Sequence, residues 1–318
     1  MALPPFAQVI KARDVEDPVN IWIHRPLAYA FVGLVHKTPL TPNQITLTAM
    51  LLGIAAGTCW VLGTPELMLV GGILLWSSSI LDGADGILAR TKKMQSELGR
   101  ALDGTADMVV AVATVFPAMF HIWQTNGTGV YLVMVPIALV TAIIHINIYD
   151  FYKELYLGSR NLNWQGTKKN LEEVQKHVIE ADERDSPLVV RFAWRAYASM
   201  LKAQANYVRL TNPLAWRSGP FADVSPETED IYQRHNYWPM QLWSWVSLCP
   251  HTYVMAICAM FNRLDVYLWI RAIGANVVFL TAIIWQRIAT ARTLRDLERI
   301  ALNHGERSDS APVTLAIT

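Results

Sequence analysis

The chain has 318 residues and a net charge of +1; it is 53% hydrophobic and only 17% charged, with a mean hydropathy of +0.24. Soluble domains carry roughly 25% charged residues, so this composition excludes an ordinary soluble domain and points to a membrane protein. The balanced charge argues neither for nor against nucleic acid, and none is expected as a partner. Cys59, Cys249 and Cys258 fall far apart in apolar runs without metal-ligand spacing, so they read as small buried hydrophobes. The first twenty residues hold Lys11, Arg13, Asp14, Glu16 and Asp17 and no sustained apolar core, so no signal peptide is expected there.

In chain order, "IWIHRPLAYAFVGLVH" (residues 21–36) is apolar but short and interrupted by His24, Arg25 and Pro26. It fits a helix lying in the membrane interface. A bilayer core of about 30 Å needs around 20 apolar residues per helix. Six segments qualify: 45–62, after the turn-like "TPNQIT", then 67–89, 98–123, 130–152, 240–261 and 266–289. Lys and Arg set their orientation. The connections near 63–66, 124–129 and 262–265 hold Arg263 as their only basic residue. The N-terminus, the 90–97 loop, the 153–238 segment and the tail hold nearly all the others, which alternates as six spans demand, with both termini cytoplasmic.

The expected fold is therefore an all-α integral membrane protein. It has six transmembrane helices, an N-terminal interfacial helix and a cytoplasmic helical insertion between helices 4 and 5. The corresponding divisions are 1–43, 44–152 (helices 1–4), 153–238 (the insertion), 239–290 (helices 5 and 6) and 291–318, a tail expected to be partly disordered from about His304. Within the insertion, "NLEEVQKHVIEADERDS" reads as a charged helix closed by Pro187. A second helix, Leu188 to Leu210, gathers Arg191, Arg195, Lys202 and Arg209 within about 40° of one another, opposite Val190, Tyr197, Leu201 and Val208. This basic face suits either an anionic membrane surface or plain solvation. Most of the 12 tryptophans are expected at interfaces, as at Trp22, Trp238 and Trp243.

The acids in the second and third spans need an explanation. Asp82, Asp85, Gly86 and Ala89 are spaced i, i+3, i+4, i+7 on one helical face; Gly99, Asp103 and Asp107 are spaced i, i+4, i+8 on another. A short basic loop makes the two helices antiparallel neighbours. The two acidic pairs can then face each other about 10 Å or less inside the cytoplasmic boundary. Four converging carboxylates repel and are costly to desolvate. Two divalent cations would compensate them, and all-oxygen ligands select Mg²⁺, Mn²⁺ or Ca²⁺. Such a pair of metals suits displacement at phosphorus. Gly86 and Gly99 leave room for a phosphate, and Arg90 supplies a fork for its oxygen. The competing reading pairs the acids with Arg90, Lys92, Lys93 and Arg100 alone.

The pattern D-x-x-D-G-x-x-A-R, eight residues, G-x-x-x-D-x-x-x-D resembles the signature of the CDP-alcohol phosphotransferase (CDP-alcohol phosphatidyltransferase) family. It is carried here by Asp82, Asp85, Gly86, Ala89, Arg90, Gly99, Asp103 and Asp107 without departure, and "TPNQIT" also looks like the family's. The resemblance implies a membrane enzyme that displaces CMP from a CDP-linked alcohol by a second alcohol. By the same likeness, the four aspartates hold two divalent cations, Mg²⁺ or Mn²⁺. Asp82, Gly86, Ala89, Arg90 and Gly99 contact the CDP moiety, and Asp107 is the base.

The favoured donor is CDP-diacylglycerol, which places the chain in phospholipid biosynthesis. The alternative is a CDP-choline or CDP-ethanolamine enzyme acting on a lipid alcohol. Expected partners are the donor, the acceptor, membrane lipids and, by the resemblance, a second copy of the chain as a homodimer. The active site is expected to face the cytoplasm, in the cell inner membrane for a bacterial source. His145, Asn147, Asp150 and His251 are polar groups in spans that serve either an acceptor site or interhelix hydrogen bonds. A divalent-cation transporter is a remote alternative, because the far halves of spans 2 and 3 hold no ionisable relay.

Overall fold

The computed structural model describes residues 3–9, 13–160, 166–184, 187–217 and 225–305. Among them there are helices and no strand. The principal helices are α1 (Arg25–Val35), α2 (Pro42–Leu62), α3 (Pro65–Lys92), α4 (Glu97–Asn126), α5 (Tyr131–Gly158), α6 (Gly166–Glu183), α7 (Leu188–Thr211), α8 (Pro226–Ser244), α9 (Leu248–Met260), α10 (Leu264–Trp269) and α11 (Ala275–Gly305). Wide π-type turns, Asn20–His24 and Ile270–Gly274, lead into α1 and α11.

Among the described residues, five stretches are long and apolar enough to cross a membrane: Pro42–Leu62, Pro65–Lys92, Leu102–Asn126, Tyr131–Gly158 and Leu264–Ile300. Their outward faces carry exposed Leu51, Ile73, Val112, Phe116, Leu132 and Ile284. Such a surface suits lipid and would be a liability in water. The expected span over 240–261 is not one helix. It divides between the end of α8 at Ser244 and the start of α9 at Leu248. Pro250 explains the break: it has no N–H for a helical bond to Val246, so it is accommodated in the first turn of a new helix.

The chain forms two compact units, Met1–Ile143 with Ser244–Val278, and Ile144–Trp243 with Phe279–Thr318. In the first, α2 begins with a capping box: Thr41 Oγ1 accepts from the Gln44 N–H and Gln44 Oε1 from the Thr41 N–H, with Pro42 in the first turn. The helix ends on Gly63 at φ +71°, and Thr64 at once caps α3, so α2 and α3 fold back on each other. Glycines let the helices close up: a Cβ at Gly57 would collide with the Ala113 carbonyl oxygen of α4, and one at Gly72 with the Ala256 backbone of α9. Trp60, Met68, Leu75, Ile122 and Met255 fill the core between them. A second cluster, Ala28, Val32, Ile45, Ala84, Ile87 and Leu88, seats α1 against α2 and α3.

In the second unit, α7 runs close to the expected Leu188–Leu210. Its Leu201 and Val208 are buried, whereas Val190 and Tyr197 of the same face are exposed. Arg195 of the basic face pairs with Asp182 of α6 (3.0 Å), and Arg209 stacks over Trp216 (4.7 Å). Trp22 and Trp238 are exposed, as expected of interface residues, but Trp243 is fully buried. It donates its indole N–H to Gln286 (3.2 Å), so Trp243 is a core residue of this unit. Of the cysteines, Cys258 is buried while Cys59 and Cys249 are half-buried. The end of the charged segment (Asp185, Ser186) and the tail beyond Gly305 lie outside the described residues.

Candidate active site

Three features of the α3–α4 hairpin shape the site. Lys93 takes the left-handed conformation at φ +56° and ends α3, its N–H bonding back to the Arg90 carbonyl. Ser96 then caps α4, its Oγ accepting from the Gly99 N–H (3.0 Å). The turn returns the chain so that α3 and α4 both pack against α2, and it brings Asp103 of α4 to Asp82 and Asp85 of α3.

Carboxylate oxygens of Asp82, Asp85 and Asp103 lie within 4.8 Å of one another. Asp85 is buried, and the buried Thr46 of α2 donates its hydroxyl to Asp85 Oδ2. Asp107, one turn beyond Asp103, is not in this trio and is not among the lining residues of the cavity below. It is nonetheless close enough to Asp82 to act on it electrostatically. Of the basic groups able to neutralise the acids, Lys92 is engaged elsewhere: its Nζ donates to the carbonyls of Thr38 and Leu40, both at 2.7 Å.

The trio opens into a cavity of about 620 Å³ that Gly86, Ala89, Arg90 and Gly99 also line. Every residue expected to contact a nucleotide is thus at one cavity. A Cβ at Gly86 would sit in ordinary contact with Arg90 Nη1, at 3.4 Å, which sets the guanidinium directly over this glycine. Arg25, Asn43, Thr46, Gln95 and Ser96 line the cavity as well, and sequence reasoning missed them as site residues. Asn43 and Thr46 fall within "TPNQIT", a turn-like stretch that looks like the family's but from which no site residue is expected. Arg25 was visible only as an interruption in an apolar stretch.

His145, Asn147, Asp150 and His251 are not among the lining residues. His145 is buried and stacks on Phe279 (centroids 4.1 Å apart), the Asn147 carbonyl accepts from Gln204 (2.9 Å), and Asp150 pairs with Lys153 (3.2 Å). These contacts agree with structural roles.

Three clustered carboxylates with no histidine or thiolate are a donor set for a hard divalent cation rather than for zinc. Fold and site together define a helical membrane protein with an acidic, oxygen-lined pocket between packed spans. Residues 39–157 match the family model of CDP-alcohol phosphatidyltransferase, and this stretch of the chain is such a domain.

Relatives are similar to part of the chain. Inner membrane protein YnbA of Escherichia coli K12 is 33% identical over 101 residues, 31% of this chain and 50% of that protein. The bifunctional IPC transferase and DIPP synthase of Thermococcus kodakarensis is 43% identical over 77 residues, 24% of this chain and 16% of that protein. The protein of that name from Rubrobacter xylanophilus is 36% identical over 92 residues, 29% of this chain and 20% of that protein. The chain therefore spans half the length of the first relative and a fifth or less of the others. With its apolar helices and these relatives, it is a multi-pass membrane protein.

Proposed function

We propose that this protein is a metal-dependent CDP-alcohol phosphotransferase. It transfers a substituted phosphate group from a CDP-alcohol, favoured as CDP-diacylglycerol, to an alcohol acceptor and releases CMP. What carries the reading is the meeting of Asp82, Asp85 and Asp103 within 4.8 Å beside Gly86, Ala89, Arg90 and Gly99 in one cavity, inside the stretch that matches the family model.

Asp82, Asp85, Asp103 and Asp107 would hold two divalent cations, Mg²⁺ or Mn²⁺, which neutralise the diphosphate and make CMP a better leaving group. The chain's own groups do the remainder. Arg90 binds a phosphate oxygen with its planar fork. Gly86 and Gly99 allow the nucleotide to approach the backbone, and Ala89 keeps the same face shallow. Thr46 fixes the Asp85 carboxylate in one orientation. Asp107, one turn beyond Asp103 on the same face of α4, would take the proton from the attacking hydroxyl.

The basic residues of the N-terminus, the α3–α4 turn and the tail support an orientation with the cavity facing the cytoplasm. The number of stretches long and apolar enough to cross a membrane, fewer than the aminoalcohol enzymes of the family usually carry, supports the phosphatidyl-donor direction. A homodimer and membrane lipids remain the partners expected from the family.

The test is CMP release by the purified protein in lipid with Mg²⁺ or Mn²⁺, over a panel of donors and acceptors, repeated with Asp82→Asn and Asp107→Asn. CMP from CDP-diacylglycerol only with a polar acceptor supports the reading. CMP from CDP-choline with a lipid alcohol selects the aminoalcohol alternative. Release that neither substitution affects would sink the proposed site.

A further inference from the structure

Arg25 opens α1, far in sequence from the acidic motif, yet it lines the same cavity. Its guanidinium is held along one edge: Nε donates to Glu16 Oε2 (3.0 Å) and Nη2 to Glu16 Oε1 (2.7 Å). Asn20 Nδ2 donates to Glu16 Oε2 as well (3.2 Å). The Arg25 and Glu16 side chains are only 12% and 10% exposed, so this fork is sheltered and its geometry fixed.

The pairing uses Nε and Nη2 and leaves the Nη1 corner of the guanidinium to point elsewhere. That corner stands over Gly83: a Cβ there would be 3.5 Å from Arg25 Nη1. Arg90 Nη1 holds the equivalent place over Gly86. Three residues separate these glycines, a rise of about 4.5 Å along α3. Two guanidiniums thus face the cavity over neighbouring turns of the helix that carries Asp82 and Asp85, with Arg25 the deeper of the two. Two cations so close repel each other unless an anion joins them, and a group with two linked phosphates spans that interval. Glu16 offsets part of the Arg25 charge. Its larger effect is directional, because a fork held by two bonds aims the remaining donors.

We propose that Arg25 is a second guanidinium contact to the diphosphate of the bound CDP-alcohol, taking the phosphate distal to the cytidine while Arg90 takes the proximal one, and that Glu16 is the positioning residue that aims it. The inference rests on the donor reading above. A purely structural Arg25 would pin the N-terminal segment to α3 and have no preference between nucleotides.

The test measures equilibrium binding of CDP and of CMP, each with Mn²⁺, to the purified full chain. Relative to wild type, Arg25→Ala is expected to weaken CDP binding about 10- to 100-fold, the range for a lost charge-assisted hydrogen bond. CMP, lacking the second phosphate, changes by less than about threefold, so the preference for CDP collapses. Arg25→Lys guards against misfolding: it keeps the charge and can still pair with Glu16, but an ammonium has no second edge to offer. It is expected to lose about tenfold in CDP affinity at an unchanged thermal midpoint. Glu16→Gln shows a smaller loss of about 3- to 10-fold, again confined to CDP.

A folded Arg25→Lys protein that binds CDP within about threefold of wild type overturns the proposal, as does equal weakening for CDP and CMP. If wild type fails to bind CDP with Mn²⁺, or Asp82→Asn binds it unchanged, the donor reading itself falls and takes this inference with it. That result is distinct from a failure confined to the Arg25 variants.

Discussion

Thr46 of α2 donates its hydroxyl to Oδ2 of Asp85 on α3, and both side chains are buried. A third helix thereby fixes the orientation of a carboxylate in the acidic trio. Partners of this kind behind a metal ligand are worth about 10- to 100-fold in metal affinity. Thr46→Val keeps the shape and removes the donor. The Mn²⁺ concentration for half-maximal CMP release is expected to rise by about that factor, with the rate at saturating metal less affected. An unchanged metal dependence would show that Thr46 merely packs.

The four aspartates separate by role. Asp82→Asn, Asp85→Asn and Asp103→Asn each remove a charge from the proposed metal set, and CMP release is expected to fall by more than about 100-fold, beyond the outer-shell range. Chelation should abolish the wild-type reaction, and Mg²⁺ or Mn²⁺ should restore it. Asp107→Asn, the loss of a base as well as of a metal ligand, is expected to lower kcat by about 10²- to 10⁴-fold even at saturating metal, and to raise the Mn²⁺ requirement too. A rate fully restored by high Mn²⁺ would make Asp107 a ligand only.

Helix approach in the first unit rests on Gly57, where an added methyl meets the Ala113 carbonyl oxygen of α4. Gly57→Ala is expected to cost about 1–3 kcal/mol, because backbone cannot move aside as a side chain can. Gly104 offers the contrast: nothing lies within 4 Å of a Cβ built there. Gly104→Ala should leave the thermal midpoint unchanged or raise it, by up to about 1 kcal/mol of helix propensity. Thermal unfolding of the two variants in one detergent is the measurement.

The second unit holds a buried polar chain. Trp243 donates to Gln286 (3.2 Å), Gln286 Nε2 to Asn236 Oδ1 (2.7 Å), and Asn236 Nδ2 to Thr293 Oγ1 (2.9 Å). Gln286→Leu would leave the indole N–H and the Asn236 carbonyl without partners. The expected loss is about 1–3 kcal/mol for each orphaned group, read as a lowered thermal midpoint. A neutral result would mean that water or a rearranged Asn236 replaces the glutamine.

The legible parts of the molecule were those written in short-range spacing. The i, i+3, i+4 and i, i+4 intervals placed Asp82, Asp85 and Asp103 on facing sides of a hairpin, and the structure gathers those three within 4.8 Å. Apolar run length marked α2 to α5 within a few residues. The break between α8 and α9 was hidden because hydropathy runs smoothly across it and only Pro250 interrupts the hydrogen-bond ladder. Trp243 was misread because an indole serves equally at an interface or in a core with a partner such as Gln286. Arg25 was invisible as a site residue because its place depends on α1 settling Ala28 near Gly83, a packing event with no local spacing to announce it.

Among the described residues, all those lining the cavity fall between Arg25 and Asp103. The wall of this cavity is in that sense a cassette of one continuous length of chain, held from outside by α9 where Ala256 meets Gly72. A substitution after Asp107 that alters turnover therefore cannot do so by removing a described wall of this cavity. It must change which acceptor arrives or how firmly the cassette is held. Screens for altered headgroup preference should be aimed at that later sequence, and screens for altered nucleotide or metal preference at the cassette itself.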